Sequence, residues 1–335
     1  MTSALVLTAI VFVGIALLLL ITLAIRRIVL DRRGRRYAAA VRRVRPIAIV
    51  LVEGENRERP VLPSGDQAVL ADVLGRYSRQ LTGGAGRRVA EYFRGSEALT
   101  QALRELRSRR AWRRAAAAYR LGDMGCEEAA PALLTALDDR NRTVRAAAAR
   151  SLGRLKIVDA AKPLVEALVL GRVPNGVAGE ALVELGPSAV PELRAIAEHP
   201  RQRLRATAIT LLGLVGDSTD APLAVRCLGD PSAKVRAAAA DALARIGGPP
   251  AESALRSTLD DRIPFVRAGA AVALGVIRLR SALPRLLEMA QTDRFRPARA
   301  AAQAVARISP KELAAAAAEP GAGPHLHEAA DLSAL

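Results

Sequence analysis

The chain has 335 residues, a net charge of +17 and 3% aromatic residues, with three histidines, two cysteines and one tryptophan. That composition excludes a disulfide framework and a Cys/His metal cluster, and it leaves no row of aromatics on which single-stranded nucleic acid would stack. Arginine outnumbers lysine 46 to 4, so an anionic surface, either membrane or duplex, stays open as a partner.

In chain order, the first element is Ala4 to Ile25, a run of 22 residues without one charge. As a helix it measures about 33 Å, enough to cross a hydrocarbon core, so it is a predicted transmembrane helix (domain 1–25, span 4–25). It has no basic residue before it and no cleavage site after it, which argues against a signal peptide. Residues 26–45 follow as an arginine-rich juxtamembrane segment in which Arg26, Arg27, Arg32, Arg33, Arg35 and Arg36 lead nine arginines against Asp31. The positive-inside rule then places the N-terminus outside a bacterial inner membrane and the remainder in the cytoplasm, with Arg26–Arg45 set to meet anionic lipid headgroups.

Residues 46–111 read as a tether and a helical cap. Ile47 to Val52 is β-prone and suits a strand or extended tether, whereas helical periodicity holds from Asp66 to Leu81, from Arg87 to Phe93 and from Ser96 to Leu106. The glycine-rich Gly83-Gly84-Ala85-Gly86 between them reads as a helix-breaking loop, because it lacks the Lys-Ser/Thr ending of a phosphate loop.

From Arg114 one phrase recurs, an arginine, four mostly small residues and a leucine seven positions after the arginine. It appears as Arg114…Leu121, Arg145…Leu152, Arg205…Leu212, Arg236…Leu243 and Arg267…Leu274, with degenerate copies at Asn175…Leu182 and Ala298…Val305. The seven units stand 30 or 31 residues apart, a period that belongs to stacked repeats. Each is a helical hairpin whose second helix starts near Pro131, Pro163, Pro191, Pro222 or Pro284, where a first-turn proline gives up no needed N–H. Alanines allow neighbouring helices to approach, leucines supply buried bulk, and stacking is obligatory because one hairpin cannot bury its own apolar face.

On these residues, the stretch from Trp112 to Ile308 resembles bacterial HEAT-like repeats of the short, phycobilisome-lyase type. The resemblance implies an all-α protein, a right-handed α-solenoid of about seven hairpins over 112–308. In that family an aspartate before the first helix and an arginine inside it build a ladder between neighbouring units. Asp139 with Arg145, Asp230 with Arg236 and Asp261 with Arg267 keep one spacing of six, Arg205 follows His199 instead, and the third unit has Val169 and Asn175 at those places. Sequence decay accounts for that third unit; a local break in superhelix curvature is the alternative. The family's second helices line its concave face, which makes Arg194, Arg226, Arg256, Arg285 and Glu288 the candidate partner-binding residues.

Residues 309–335, rich in alanine, glycine and proline, read as a disordered tail. His325 and His327 within it have no third ligand, and no His-Glu-x-x-His or Gly-x-Ser-x-Gly occurs, so no catalytic, cofactor-binding or metal residue is assigned. Cys126 and Cys227 lie about three repeats apart and read as reduced core residues. The function expected is that of a membrane-anchored, non-enzymatic scaffold presenting its solenoid to a membrane-associated protein complex, with no small-molecule substrate or cofactor. Single-span proteins of this type look similar to companions of membrane glycosyltransferases, which makes such an enzyme one candidate partner. The alternatives are a module tethering nucleic acid at the membrane and a bilin-lyase-like or cofactor-chaperone protein.

Overall fold

Apolar spacing of three and four residues dominates this sequence, and in the computed structural model every regular element among the described residues is a helix. The structure describes residues 2–54, 60, 62–81, 83–247 and 249–333; the side chains of 2–16, 64, 249 and 250 are outside the description. The chain divides into two units, one formed by Met1–Arg109 with Arg120–Ala129, the other by Arg110–Tyr119 with Ala130–Leu335.

The first unit is built on α1 (Thr2–Glu53), α2 (Ser64–Ser78), α3 (Gly83–Phe93), α4 (Glu97–Glu105) and the second half of α5 (Ala111–Met124). Helix α1 packs on α2 and α3 and buries Ala40, Val44 and Ala48, spaced one turn apart. That stripe corrects the expectation of a strand or tether over Ile47–Val52: the helix runs through Pro46. Burial of Val44 and Ala48 on either side offsets the proline's missing hydrogen bond, and tertiary packing overrides the β-propensity of the run. Gly54, at φ +84°, ends the helix, and Arg88 Nε caps it by donating to Val52 O at 2.7 Å. A second correction concerns Gly83–Gly86, which form the first turn of α3 instead of a loop. On the other side of this unit, α5 is tied down by Ser78 donating to the Asp123 carbonyl, Arg79 pairing with Asp123 and Arg94 pairing with Glu128.

Among the described residues no helix is long and apolar enough to cross a membrane. The predicted span 4–25 falls largely on residues 4–16, whose side chains lie outside the described residues.

The second unit stacks helical hairpins. After α6 (Ala130–Ala136), which pairs with α5 as the first hairpin, they are α7 (Arg142–Arg154) with α8 (Ala161–Val169) and α9 (Asn175–Leu185) with α10 (Val190–Ile196). Next come α11 (Gln202–Val215) with α12 (Ala221–Cys227), α13 (Ala233–Ile246) with α14 (Pro249–Thr258) and α15 (Pro264–Val276) with α16 (Leu283–Thr292). The stack closes with α17 (Phe295–Ile308), α18 (Pro310–Ala317) and α19 (Pro324–Ser333). Pro131, Pro163, Pro191, Pro222 and Pro284 all lie in the first three residues of their second helices.

The tail expected over 309–335 is therefore corrected to two helices. Ser309 caps α18 by accepting the Glu312 N–H, and Leu313, Ala316, Leu326 and Ala329 are buried, with α19 packed on α16, α17 and α18. Four small apolar contacts suffice here because they extend an existing core instead of founding one. His325, read as a solvated tail residue, packs edge-on against Phe295 with ring centroids 4.7 Å apart.

First helices approach one another unevenly. A Cβ built on Gly153, Gly213 or Gly275 would lie 2.7, 2.7 and 2.8 Å from the Cα of Ala181, Ala242 and Ala304 on the next first helix. Those glycines bring α7 onto α9, α11 onto α13 and α15 onto α17. From α7 onward, the neighbouring first helices that touch least are α9 and α11.

Candidate interaction surfaces

The polar residues that recur at fixed places in each hairpin build two different structures, one buried and one exposed. In the buried one, an arginine of each first helix reaches the aspartate at the entry to the next hairpin. Arg114 meets Asp139 at 2.7 Å, Arg205 meets Asp230 at 2.8 Å, Arg236 meets Asp261 at 2.6 Å and Arg267 meets Asp293 at 2.5 Å. Both guanidinium nitrogens are used in each, the bidentate fork that suits carboxylate. The third nitrogen turns back to a carbonyl six residues earlier, as Arg145 does to Asp139 O, Arg205 to His199 O, Arg236 to Asp230 O and Arg267 to Asp261 O.

The spacing of six seen in the sequence is thus the arginine's bond to the backbone of its own hairpin, and the ion pair is made one hairpin further on. Arg145 has no carboxylate ahead of it and donates to Arg172 O at 2.6 Å instead. Asp293, absent from the sequence-based set, completes the last rung. It stands 26 residues after Arg267 where the others stand 25 after theirs, and the seventh unit's own arginine position is Ala298, so the repeat phrase gave no signal there.

Each ladder carboxyl lies below the usual carboxylate range, chiefly because of the guanidinium hydrogen bonds, with burial opposing and backbone N–H groups helping. Folded pKa values lower than unfolded ones mean that this stabilisation is complete above the unfolded aspartate value of about 3.9 and is lost as pH falls through the folded values. Thermal melts followed by circular dichroism should therefore be flat in this contribution from pH 7 to about pH 5, then drop steeply below about pH 4. A midpoint that fell between pH 7 and 6 would mean that other groups control acid stability.

The exposed structure runs along the second helices, and here the candidate residues separate. Arg194 donates at 2.6 Å to Asp220, a carboxylate only 2% exposed that also accepts the Asp217 N–H. Arg194 therefore serves the fold while its own side chain, 47% exposed, still stands on the outer face of the second helix. Its replacement by alanine should lower the melting temperature, because a buried carboxylate loses its cation.

Arg226 faces Glu198 at 3.7 Å with both side chains exposed. Arg285 is shared between Asp260 at 2.8 Å and Glu288 at 2.9 Å. Arg256 is exposed and has no partner among the described residues. The face is thus a ridge of interleaved charges of both signs.

Between α9 and α11 lies a groove of about 910 Å³, with Gly176, Gly179 and Glu184 on one wall and Arg203, Thr207 and Leu214 on the other. Burial pushes the Glu184 carboxyl above its ordinary value, against the pull of Arg154. The small residues of the degenerate third unit open this space.

In the first unit, α1 exposes Leu17 to Ile21, Leu23, Ile25 and Ile28 to Leu30. Arg26, Arg27, Arg32, Arg33, Arg35 and Arg36 are exposed beside them. At 100° per residue those six arginines encircle the helix axis. Arg43 belongs to the packed part and pairs with Asp66 at 2.7 Å.

Both cysteines are free and buried, and burial pushes the Cys126 thiol up to about 11. Among the described residues no cluster of three His, Cys, Asp or Glu side chains could hold a metal ion.

A family model described as HEAT repeats matches residues 96–182 and 221–306. No curated protein matches the chain. Among solved structures it is similar to YibA of Escherichia coli, at 16% identity over 82% of this chain and 98% of that one, with a TM-score of 0.43. It is similar also to human deoxyhypusine hydroxylase in complex with glycerol, at 19% over 89% and 96%, TM-score 0.31. A third is the complex of CpcE and CpcF of phycocyanin lyase from Nostoc, at 24% over 78% and 94%, TM-score 0.31. At these identities and scores, none of the three says what this chain does.

Proposed function

The chain belongs to the HEAT-repeat family, and from that premise we propose that it is a protein-binding scaffold fixed to a bacterial inner membrane by the first half of α1. One observation carries the anchor. Helix α1 exposes apolar side chains all round and then, without a break, arginines all round. An interfacial helix segregates its two kinds of residue onto opposite faces, whereas a helix that threads a bilayer has an apolar belt followed by a charged collar. The collar lies on the solenoid's side of the belt, which by the positive-inside rule makes the solenoid cytoplasmic.

The reading predicts that full-length protein stays with membranes through alkaline carbonate extraction and that a variant lacking residues 2–25 leaves them. Release of the full-length chain by carbonate would overturn the anchor.

The solenoid's role follows from its second helices. Arg226, Arg256, Arg285 and Glu288 present both charges on a repeating ridge, the pattern that selects a complementary protein surface and discourages a uniformly anionic polymer. The partner is another protein at the same membrane, with a membrane glycosyltransferase as one candidate class. Reversing Arg226, Arg256 and Arg285 together to glutamate should release that partner on mild-detergent purification while leaving the thermal melt in place, since all three side chains are exposed or half-exposed. Continued co-purification from a folded triple variant would remove this ridge as the binding face.

A further inference from the structure

The loops joining each second helix to the next first helix line up along one edge of the solenoid, because ladder pairs tie neighbouring loops together. Along this edge every carboxylate is engaged. Asp139, Asp230, Asp261 and Asp293 are held by the ladder; Asp138 is held by Arg172, Glu198 by Arg226 and Asp260 by Arg285.

Beside the ladder positions stands a row of exposed cations that make no salt bridge among the described residues: Arg140, Arg262 and Arg294, with Arg201 and Lys234 a little further on where Pro200 and Pro231 occupy the equivalent place. Counted within the loops alone the charges nearly balance, but because helix arginines take up the carboxylates, these cations are left over along the edge. The opposite edge differs. There Arg194 takes up Asp220, and Lys156, Arg278 and Arg280 stand against Asp159 and Asp217, so the same count leaves a single positive charge.

The basic edge also holds the most exposed aromatic side chains. Trp112, the only tryptophan, is 64% exposed in the first turn of α5, with Arg113 over its ring at 5.3 Å. Phe265 and Phe295 are 42% and 65% exposed in the first turns of α15 and α17. Exposed aromatics set among unpaired cations are what the boundary between headgroups and acyl chains accepts. Duplex nucleic acid would account for the cations alone, since its stacked bases offer Phe265 and Phe295 nothing to pack on.

We propose that this edge of the solenoid lies on the surface of an anionic phospholipid bilayer, an assignment that rests on the membrane-anchored reading above. Two contacts then fix the chain, α1 through the bilayer and the loop edge upon it.

Trp112 is a built-in reporter of the second contact. Full-length protein would be reconstituted into vesicles of phosphatidylcholine with about one third phosphatidylglycerol, doped with brominated phosphatidylcholine. Trp112 emission should shift to shorter wavelength and be quenched there. Both signals should vanish in vesicles of phosphatidylcholine alone, in 1 M salt, and in a variant carrying Arg140→Glu, Arg201→Glu, Arg262→Glu and Arg294→Glu.

Vesicle flotation separates the two readings. Protein that floats under every condition while Trp112 is never quenched overturns the edge and leaves the anchor standing. Protein that floats only with anionic lipid at low salt, with Trp112 quenched, keeps the edge and overturns the anchor. Since the salt arm uses the native chain, loss of folding in the quadruple variant does not hide the answer. Charge-dependent binding of duplex DNA by the edge, with no quenching by lipid, would make nucleic acid the occupant and overturn the proposal.

Discussion

Replacing Asp261 by alanine should destabilise the solenoid by about 3 to 5 kcal/mol, the cost of removing one member of a buried ion pair. Asp261 accepts both fork nitrogens of Arg236 at 2.6 and 3.0 Å and the Ile263 N–H at 2.8 Å. Arg236 is only 7% exposed, so its charge would be left with carbonyl oxygens and little water. The entry to α15 would lose the side chain that turns the chain into the helix. Asp261→Asn should recover part of the loss, because an amide oxygen still accepts from Ile263 while the charge does not return. Urea unfolding of the two variants measures both steps. An alanine variant within 1 kcal/mol of the parent would show the rung to be solvated and weak.

A second large effect has a sign that reverses between two glycines that both face α13, one from α11 and one from α15. Gly→Ala inside a helix ordinarily gains about 1 kcal/mol, because alanine loses less backbone freedom on folding. At Gly213 the new methyl would lie 2.7 Å from the Cα of Ala242 and 2.9 Å from its Cβ, atoms of a facing helix that cannot step aside without separating two hairpins. Gly213→Ala should therefore destabilise by about 1 to 3 kcal/mol. At Gly269 the added methyl meets only the Cβ of Ala240 at 4.0 Å, an ordinary contact, so Gly269→Ala should stabilise. Melting temperatures of the two single variants decide it. Equal shifts of the same sign would show that helix propensity, and not the packing of α11 on α13, sets the outcome.

The hairpins were legible because each must bury the same stripe, so alanine, leucine and proline return at the period of the stack. Their ladder was legible only in part. Two residues of one hairpin, Asp139 and Arg145, catch the eye at a spacing of six, yet the carboxylate bond crosses to the next hairpin, which hid Arg114 and Asp293 as members.

Arg194 shows a further limit. Its sequence surroundings are those of a free surface charge, and only the fold brings Asp220 under it. Local propensity misled on both sides of the repeats. Ile47–Val52 has a contrary preference and the residues after 309 have few large apolar side chains, yet both are helical where they pack on the elements next to them in the chain. The proposed partner face has no such legibility, since interleaved arginine and glutamate on an exposed ridge look alike whether or not they are used.

The uneven spacing of the first helices has a mechanical consequence. Every other neighbour relation in the stack is locked by a ladder rung, a glycine-to-alanine contact or both, but α9 and α11 share neither, and the groove lies between them. A bending load on the solenoid would concentrate there, as in a rod with one soft joint. Two arms, hairpins one to three and four to seven, would change their angle chiefly by straining the Arg194–Asp220 tie while each kept its internal shape. If the proposed ridge is the binding face, it crosses this joint, so it would read curvature as well as charge.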